Sequence, residues 1–397
     1  MKRRTLFTTG LGGVLAAATA GHAAADVDPM RGTGDLGLVI ERAAGRVAVI
    51  ETTTATRLFA VDGLGDLSHA SAVFSRDGRF GYVFGRDGGL SKVDLLRGRL
   101  VARIIQGGNS IGGAISQDGR VIAVSNYEPG GVKLFDAADL SLLSEIAAIG
   151  ADGARSKVVG LVDAPDGKLV FALYDAGEIW TADIDDPRAP VVQRYRDVGR
   201  LPYDGMITPD GRHYVAGLFG EDGVALLDLW KPEAGVRRIL DGYGRGEEPL
   251  PVYKMPHLEG WASVGDLGFV PAVGRHEVLV VSMTEWREVS RIPVHGQPIF
   301  AVARPDGRQV WVNFAHPRND VVQVIDVPTR SVIATLQPGR AVLHLEFTPR
   351  GERVWLSVRD ADRVDVYDTR RLARVGSLSV DKPSGIFFTA RAGRVGY

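Results

Sequence analysis

The Asp-Gly pair recurs along this chain at a spacing that few architectures can use. Asp77-Gly78-Arg79, Asp118-Gly119-Arg120, Asp166-Gly167-Lys168, Asp210-Gly211-Arg212 and Asp306-Gly307-Arg308 each sit between two apolar runs. Asp-Gly favours the type I′ hairpin turn, whose two central residues need positive φ. Weaker copies stand at Gly274-Arg275, Arg350-Gly351-Glu352 and Gly393-Arg394. Successive copies lie about 40–50 residues apart, the period of propeller blades.

Each unit follows one grammar of four short strands. In the clearest case they cover 71–75, 80–85, 90–95 and 100–105. The third strand ends in an acid (Asp94, Asp136, Asp183, Asp228, Asp326, Asp368), a residue type suited to capping the turn that follows. Seven complete units fall near 64–107, 108–150, 155–199, 200–244, 253–296, 297–339 and 340–381. What remains splits between the ends: 385–390 reads as a first strand, and 36–41, 46–51 and 56–61 as the other three. The expected fold is therefore all-β, an eight-bladed β-propeller of four-stranded blades over 26–397. Its N- and C-terminal strands pair in one blade and so remove a free sheet edge. The unit whose first strand falls near 262–270 lacks an Asp-Gly turn, so closure on seven blades stays open. The longest irregular stretch, 240–256, reads as a loop over one face.

A length of 397 residues would by itself suggest two or three domains, but one repeated unit fills the chain. Fifty glycines fit many tight turns. A formal net charge of −1 gives no bulk attraction to nucleic acid or an anionic membrane. The chain has no Cys. Disulfides, thiolate catalysis, zinc–thiolate sites, covalent CxxCH haem attachment and a lipid-bearing Cys are excluded with it.

The first 25 residues have the order of an export signal. Lys2, Arg3 and Arg4 are followed by an apolar, small-residue run over 6–20 and by Ala23-Ala24-Ala25. The run is too short and too rich in Gly and Ala for a spanning helix. Arg3-Arg4-Thr5-Leu6-Phe7 resembles a twin-arginine signal, and ordinary secretion remains the alternative. The expectation is an exported, soluble, periplasmic protein without an integral membrane segment.

In a propeller the first strands line the axis, and loops from every blade converge at one end. Residues placed there by the repeat include His69, Arg86, Asn109, Tyr127, Arg155, Lys157, Tyr203 and Asp204. His257, Trp261, Phe300, His316 and His344 follow, with Arg42 and Ser384 from the closing blade. Arg binds carboxylates bidentately, neutral His can ligate iron, and aromatic rings offer flat apolar faces. Together they suit a planar, carboxylate-bearing, metal-containing ligand. His213, His276 and His295 read as ordinary structural histidines. No HExxH, GxSxG, Walker or EF-hand motif occurs, which disfavours a Ser-His-Asp hydrolase.

These residues resemble a known family across almost the whole mature chain. The chain is similar to the NirF family of haem d1 biosynthesis proteins, itself similar to the haem d1 propeller of cytochrome cd1 nitrite reductase. "HASAVFSRDGRFGYVFGRDG" places His69 on the reductase's proximal iron ligand and Arg86 in its GRDG loop. "ERAAGRVAVIE" places Arg42 on a propionate-contacting Arg. "NYEPGG" puts Tyr127 on a wall Tyr, "QPIFAVARPDG" puts Phe300 on a pocket Phe, and "KPSGIFFTA" puts Ser384 and Gly385 at the closing contact.

Departures from the reductase carry weight too. "YDG" sets Tyr203 where a distal His would be, "KMPHLEGW" keeps a second as His257, and "GNSIGG" has Ile111 in place of an Arg. With no haem c motif to feed electrons, nitrite reduction is disfavoured.

The resemblance implies noncovalent binding of haem d1 or a late iron-tetrapyrrole precursor. His69 would be the axial ligand. Arg42, Arg86 and Arg155 would hold carboxylates, and Tyr127, Phe300, His344, Ser384 and Gly385 would form the remaining wall. Tyr203 and His257 would face the open side as proton donors, beside a catalytic His69. It further implies a late change at the ring periphery, oxidative or otherwise, and partners among other pathway proteins and apo nitrite reductase. A carrier that delivers the cofactor unchanged, and a ligand-free protein-interaction propeller, are the alternatives.

Overall fold

A computed structural model of the chain describes residues 32–243, 260–272 and 274–396. It is an eight-bladed β-propeller, each blade a four-stranded antiparallel sheet. The closing blade runs Thr56–Val61, Arg46–Glu51, Leu36–Glu41 and Pro383–Phe388 from rim to axis, so the two ends of the chain share one sheet. The closing strand starts two residues earlier than 385–390, and Thr389–Arg391 forms a 3₁₀ turn instead of continuing it.

Blade packing explains the sequence pattern. Second and third strands are covered on both faces by neighbouring blades, so Lys168–Leu173, Gln309–Phe314 and Arg353–Val358 are apolar almost without alternation. Trp180, Trp311 and Trp355 are fully buried between blades, each side chain contributing ~1.5–3 kcal/mol of apolar transfer. Fourth strands face solvent and alternate, as in Arg99–Ile105 and Ser331–Leu336.

The Asp-Gly pairs are all hairpin turns, but only Asp166-Gly167 has both residues at positive φ. In the other four, Asp keeps negative φ and Gly alone is left-handed. Three of these are preceded by Ser or Thr two positions earlier. Ser75, Ser116 and Thr208 donate their hydroxyls to Asp77, Asp118 and Asp210 at 2.5–2.6 Å and accept the amide five residues on. That side-chain network builds a longer turn than the two-residue I′ form. The six acids ending third strands do cap, each accepting a backbone amide two or three residues on.

One blade differs from its expected register. The stretch near 262–270 is a tight hairpin of Ala262–Val264 and Leu267–Ala272 around Gly265-Asp266. Gly274-Arg275 therefore joins second to third strand, before Glu277–Ser282. Of the irregular stretch 240–256, only 240–243 are described; Tyr243 is buried there, its hydroxyl donating to the Pro271 carbonyl at 2.8 Å. The export segment 1–25 lies outside the described residues. Among those described, no helix is long and apolar enough to cross a membrane.

Candidate functional site

Innermost strands of propeller blades should alternate between two neighbours, yet six of the eight break register at the same end. Each of Val158–Ala164, Pro202–Ile207, Pro298–Ala303, Val342–Phe347 and Pro383–Phe388 carries one extra residue against its partner strand. Asn109–Ile115 shifts twice. A bulge of this kind bends the strand and re-aims side chains, and bulges concentrate beside active sites. The residues left unpaired are Gly160 and Leu161, Tyr203 and Asp204, Ile299 and Phe300, Leu343 and His344, and Ser384 and Gly385. All ten line one axial cavity of about 300 Å³. Gly160 sits at φ +57, where a Cβ would meet the Gly205 amide nitrogen and the Tyr214 hydroxyl at 2.7 Å each.

Eight expected site residues line this cavity: Arg42, His69, Tyr203, Asp204, Phe300, His344, Ser384 and Gly385. His69 is exposed at its mouth, in the bend before the inner strand Ser71–Phe74. Tyr127 stands directly behind the wall, its hydroxyl oxygen 2.8 Å from that of Tyr203. Burial pushes both phenols up, Tyr127 to about 12 and Tyr203 further still. Both are therefore neutral hydroxyls that can exchange hydrogen-bond direction without ionising. Tyr174 packs edge-on against Tyr203 at 5.8 Å between ring centroids.

His344 is held in a defined state. Its Nδ1 accepts the Ile386 amide at 3.3 Å, so the ring proton belongs on Nε2. Its ring meets Phe300 at 5.7 Å and Phe387 at 5.5 Å. Burial first, and the Arg391 charge second, hold its pKa down to about 3. A neutral imidazole with Nδ1 occupied donates from Nε2 and cannot also ligate a metal there. His69 and His344 thus have different capacities despite sharing the cavity.

The arginines separate into two groups. Arg155 does not reach the cavity: it is exposed, with its guanidinium 2.9 Å from Glu145. Its amide end lies in an isolated bridge with Ile149, which turns the side chain to the rim. Lys157 is likewise paired, with Asp175 at 2.9 Å. Arg42 and Arg86 behave otherwise. Both are half-buried and both act on the Asp66 carboxylate, which Ser68's hydrogen bonds first and these charges second hold below the usual range. Neither guanidinium has a hydrogen-bond or ion-pair partner among the described residues. Half-buried Arg76, Arg103 and Arg391 all have one.

Other expectations fall elsewhere. Trp261 is buried against Tyr243 between two blades, His316 is exposed at a loop, and Asn109 opens an inner strand outside the cavity wall. His257 lies outside the described residues. His213 and His295 pack edge-on against Trp286 and Phe314. His213 belongs to a larger cavity of about 610 Å³ at the opposite end of its blade. There Arg212 forks onto Asp228 at 2.6–3.1 Å, so its main cation is already satisfied, and the axial cavity is the better ligand site. Wall residues that sequence alone did not single out include Ile299, Leu343 and Phe387. Among the described residues no cluster of three or more His, Asp or Glu could hold a bare metal ion.

Known proteins resemble this geometry closely. The family model described as the Cytochrome D1 heme domain matches residues 31–392. Protein NirF of Pseudomonas aeruginosa is 61% identical over 93% of this chain and 94% of its own length. A dihydro-heme d1 dehydrogenase of the same organism is 31% identical over 83% of this chain. The solved structure of the dihydro-heme d1 dehydrogenase NirN in complex with DHE superposes with a TM-score of 0.79, at 28% identity. It covers 91% of this chain and 76% of that one.

Proposed function

This chain belongs to the cytochrome d1 haem domain family, in its NirF branch, and on that premise we propose that it is an exported, periplasmic haem d1 biosynthesis protein. It binds a late iron-tetrapyrrole intermediate noncovalently in the axial cavity and catalyses a late change at the ring periphery. The observation that carries this reading is the half-buried Arg42 guanidinium, without a hydrogen-bond or ion-pair partner among the described residues, in the wall of an aromatic, histidine-bearing cavity. A half-buried cation is costly unless an anion completes it, and a ring carboxylate is such an anion. A relative solved with DHE supports a tetrapyrrole as that ligand.

Within this proposal His69 is the axial ligand and His344 donates from Nε2. Phe300 and Phe387 take the flat face, and the Tyr127–Tyr203 pair supplies a hydroxyl to the open side.

Incubating the purified protein with the late precursor tests this, followed by absorption spectrum and mass. A Soret shift with a changed ligand mass is the expected result. A shift with unchanged mass would mean a carrier instead. No shift would overturn the ligand assignment altogether. His69→Ala is expected to abolish the shift, and an intact spectrum would remove His69 as ligand.

A further inference from the structure

A second, smaller space lies under the axial cavity. Cavity residues stand in the first half of the inner strands, and those strands continue toward the opposite end of the ring. Three of them, Ser71–Phe74, Asn109–Ile115 and Pro383–Phe388, go on to enclose a chamber of about 40 Å³. Ser71, Gly113 and Phe387 line both spaces, so the chamber adjoins the cavity along the same strands. Its far walls include Arg76, Arg391 and Ala392. The Arg76 Nε–H is buried without a partner among the described residues, and the chamber has room for roughly one or two waters.

Beyond Thr389–Arg391 the chain leaves the closing blade and crosses the axis below this chamber. Arg391 forks onto Glu346, near the end of the neighbouring inner strand Val342–Phe347, with Nε 2.8 Å from Oε1. The Ala392 carbonyl accepts from Arg76, on the blade at the other side of the seam. Arg76 also donates to the Ile115 and Ser116 carbonyls at 3.1 and 2.7 Å, one blade further on. The Gly396 amide donates to Asp163, on the next blade again, at 2.9 Å. A Cβ placed on Gly396 would lie 3.3 Å from that of Ile207, which ends the inner strand Pro202–Ile207. That strand belongs to the blade opposite the closing blade in the ring of eight. Ala392 and Gly396 are buried, whereas Gly393 and Arg394 between them face solvent.

We propose that residues 392–396 are a strap that seals the far end of the axial channel, leaving the ligand cavity one mouth, at the end that carries His69. Ligand, water and small solutes reach both spaces through that mouth, and a ligand in the cavity closes the chamber beneath it. A partner that delivers or withdraws the ligand therefore docks at the His69 end. The strap does not depend on which ligand fills the cavity; the ligand used to test it rests on the tetrapyrrole reading above.

The chain has no Cys, so introduced thiols are the sole reporters. In the double variant Ile207→Cys, Gly396→Cys the two Cβ positions come near the separation of about 3.5–4.5 Å that a disulfide spans. Mild oxidation is expected to join them within one chain, read as a mass lower by a pair of hydrogens. A pair that stays reduced would overturn the crossing. Ala72→Cys puts a thiol in the chamber wall and not in the cavity wall. Bound iron coproporphyrin III should slow its labelling by a small methanethiosulfonate reagent about tenfold or more in the full chain. In a chain ended after Arg391 the slowing should be less than about twofold. Equal protection in both chains, or none in either while absorbance shows the ligand bound, would overturn the seal. Should the shortened chain not melt cooperatively, Asp163→Ala, which removes the Gly396 acceptor, takes its place. Failure of iron coproporphyrin III to bind the parent would overturn the tetrapyrrole reading instead, and the disulfide would still decide the strap.

Discussion

Replacing Glu41 with Ala should open the propeller at its seam. Glu41 ends the strand Leu36–Glu41 and is fully buried. Its carboxylate takes Arg46 at 2.5 Å, Arg57 at 2.9 and 3.2 Å, and the Asp381 amide at 2.9 Å. Asp381 precedes the closing strand, and Arg57 also reaches the Ser379 carbonyl at 3.4 Å. One carboxylate therefore ties strands from both ends of the chain. Removing one member of a buried ion pair costs roughly 3–5 kcal/mol. Arg46 and Arg57 are 30% and 29% exposed and can recover water, so the lower end applies, about 3 kcal/mol. In a protein of this size that is roughly 5 °C of melting temperature. Glu41→Gln keeps an acceptor for the Asp381 amide and should cost about half as much. Thermal melting gives the magnitude, and hydrogen exchange by mass spectrometry gives the place. Exchange should rise in Leu36–Glu41 and Pro383–Phe388 ahead of every other blade. A melt within about 1 °C of the parent, or exchange raised equally in all blades, would refute the tie.

Three further outcomes follow from buried groups. His344 has a folded pKa near 3, below its unfolded value, so the unfolded chain takes up a proton first as pH falls. Its contribution is complete above about pH 6.5 and is lost toward pH 3, at up to about 1.4 kcal/mol per pH unit. Denaturant melts from pH 7 to 4 should therefore fall less steeply for His344→Gln than for the parent, and identical slopes would contradict it. Asp163 is fully buried and accepts the Gly396 amide at 2.9 Å as well as the Gln117 side chain. Asp163→Asn should destabilise by about 2–3 kcal/mol and speed carboxypeptidase trimming of the C-terminal tail. Gly160→Ala should cost about 1–3 kcal/mol and weaken tetrapyrrole binding, because its left-handed bulge sets the wall between Val159 and Leu161. Unchanged affinity in a folded variant would separate that bulge from the site.

The ring was legible because its determinants are local. Turn chemistry at Asp77-Gly78 and its copies, apolar second and third strands, and acids at strand ends all act within a few residues. Blade count followed from their period, and closure from the strands left over at the two ends. The one misplaced hairpin, Gly265-Asp266, carries no Asp-Gly signal, and a three-residue strand is too short to show alternation.

Sequence placed eight residues at the candidate cavity, His69 and Arg42 through motifs and His344 through its place in the repeat alone. Arg155 shows the limit, since its position in the repeat was right while a bridge to Ile149 and a nearby Glu145 turned it to the rim. The cavity wall itself depends on register breaks, which are relations between two strands and leave no mark on either alone. Strict alternation would send Tyr203 and Asp204 to opposite faces of their blade, toward its two neighbours, and likewise Leu343 and His344. The extra residue in each inner strand lets both members of a pair reach the axis. An acid, a phenol and an imidazole thereby enter one cavity without any of them being buried unpaired between blades, where a neutral group would cost roughly 1–3 kcal/mol and a charge more. Repeating that device in five blades is how a scaffold of apolar strands comes to hold a polar, ligand-sized end.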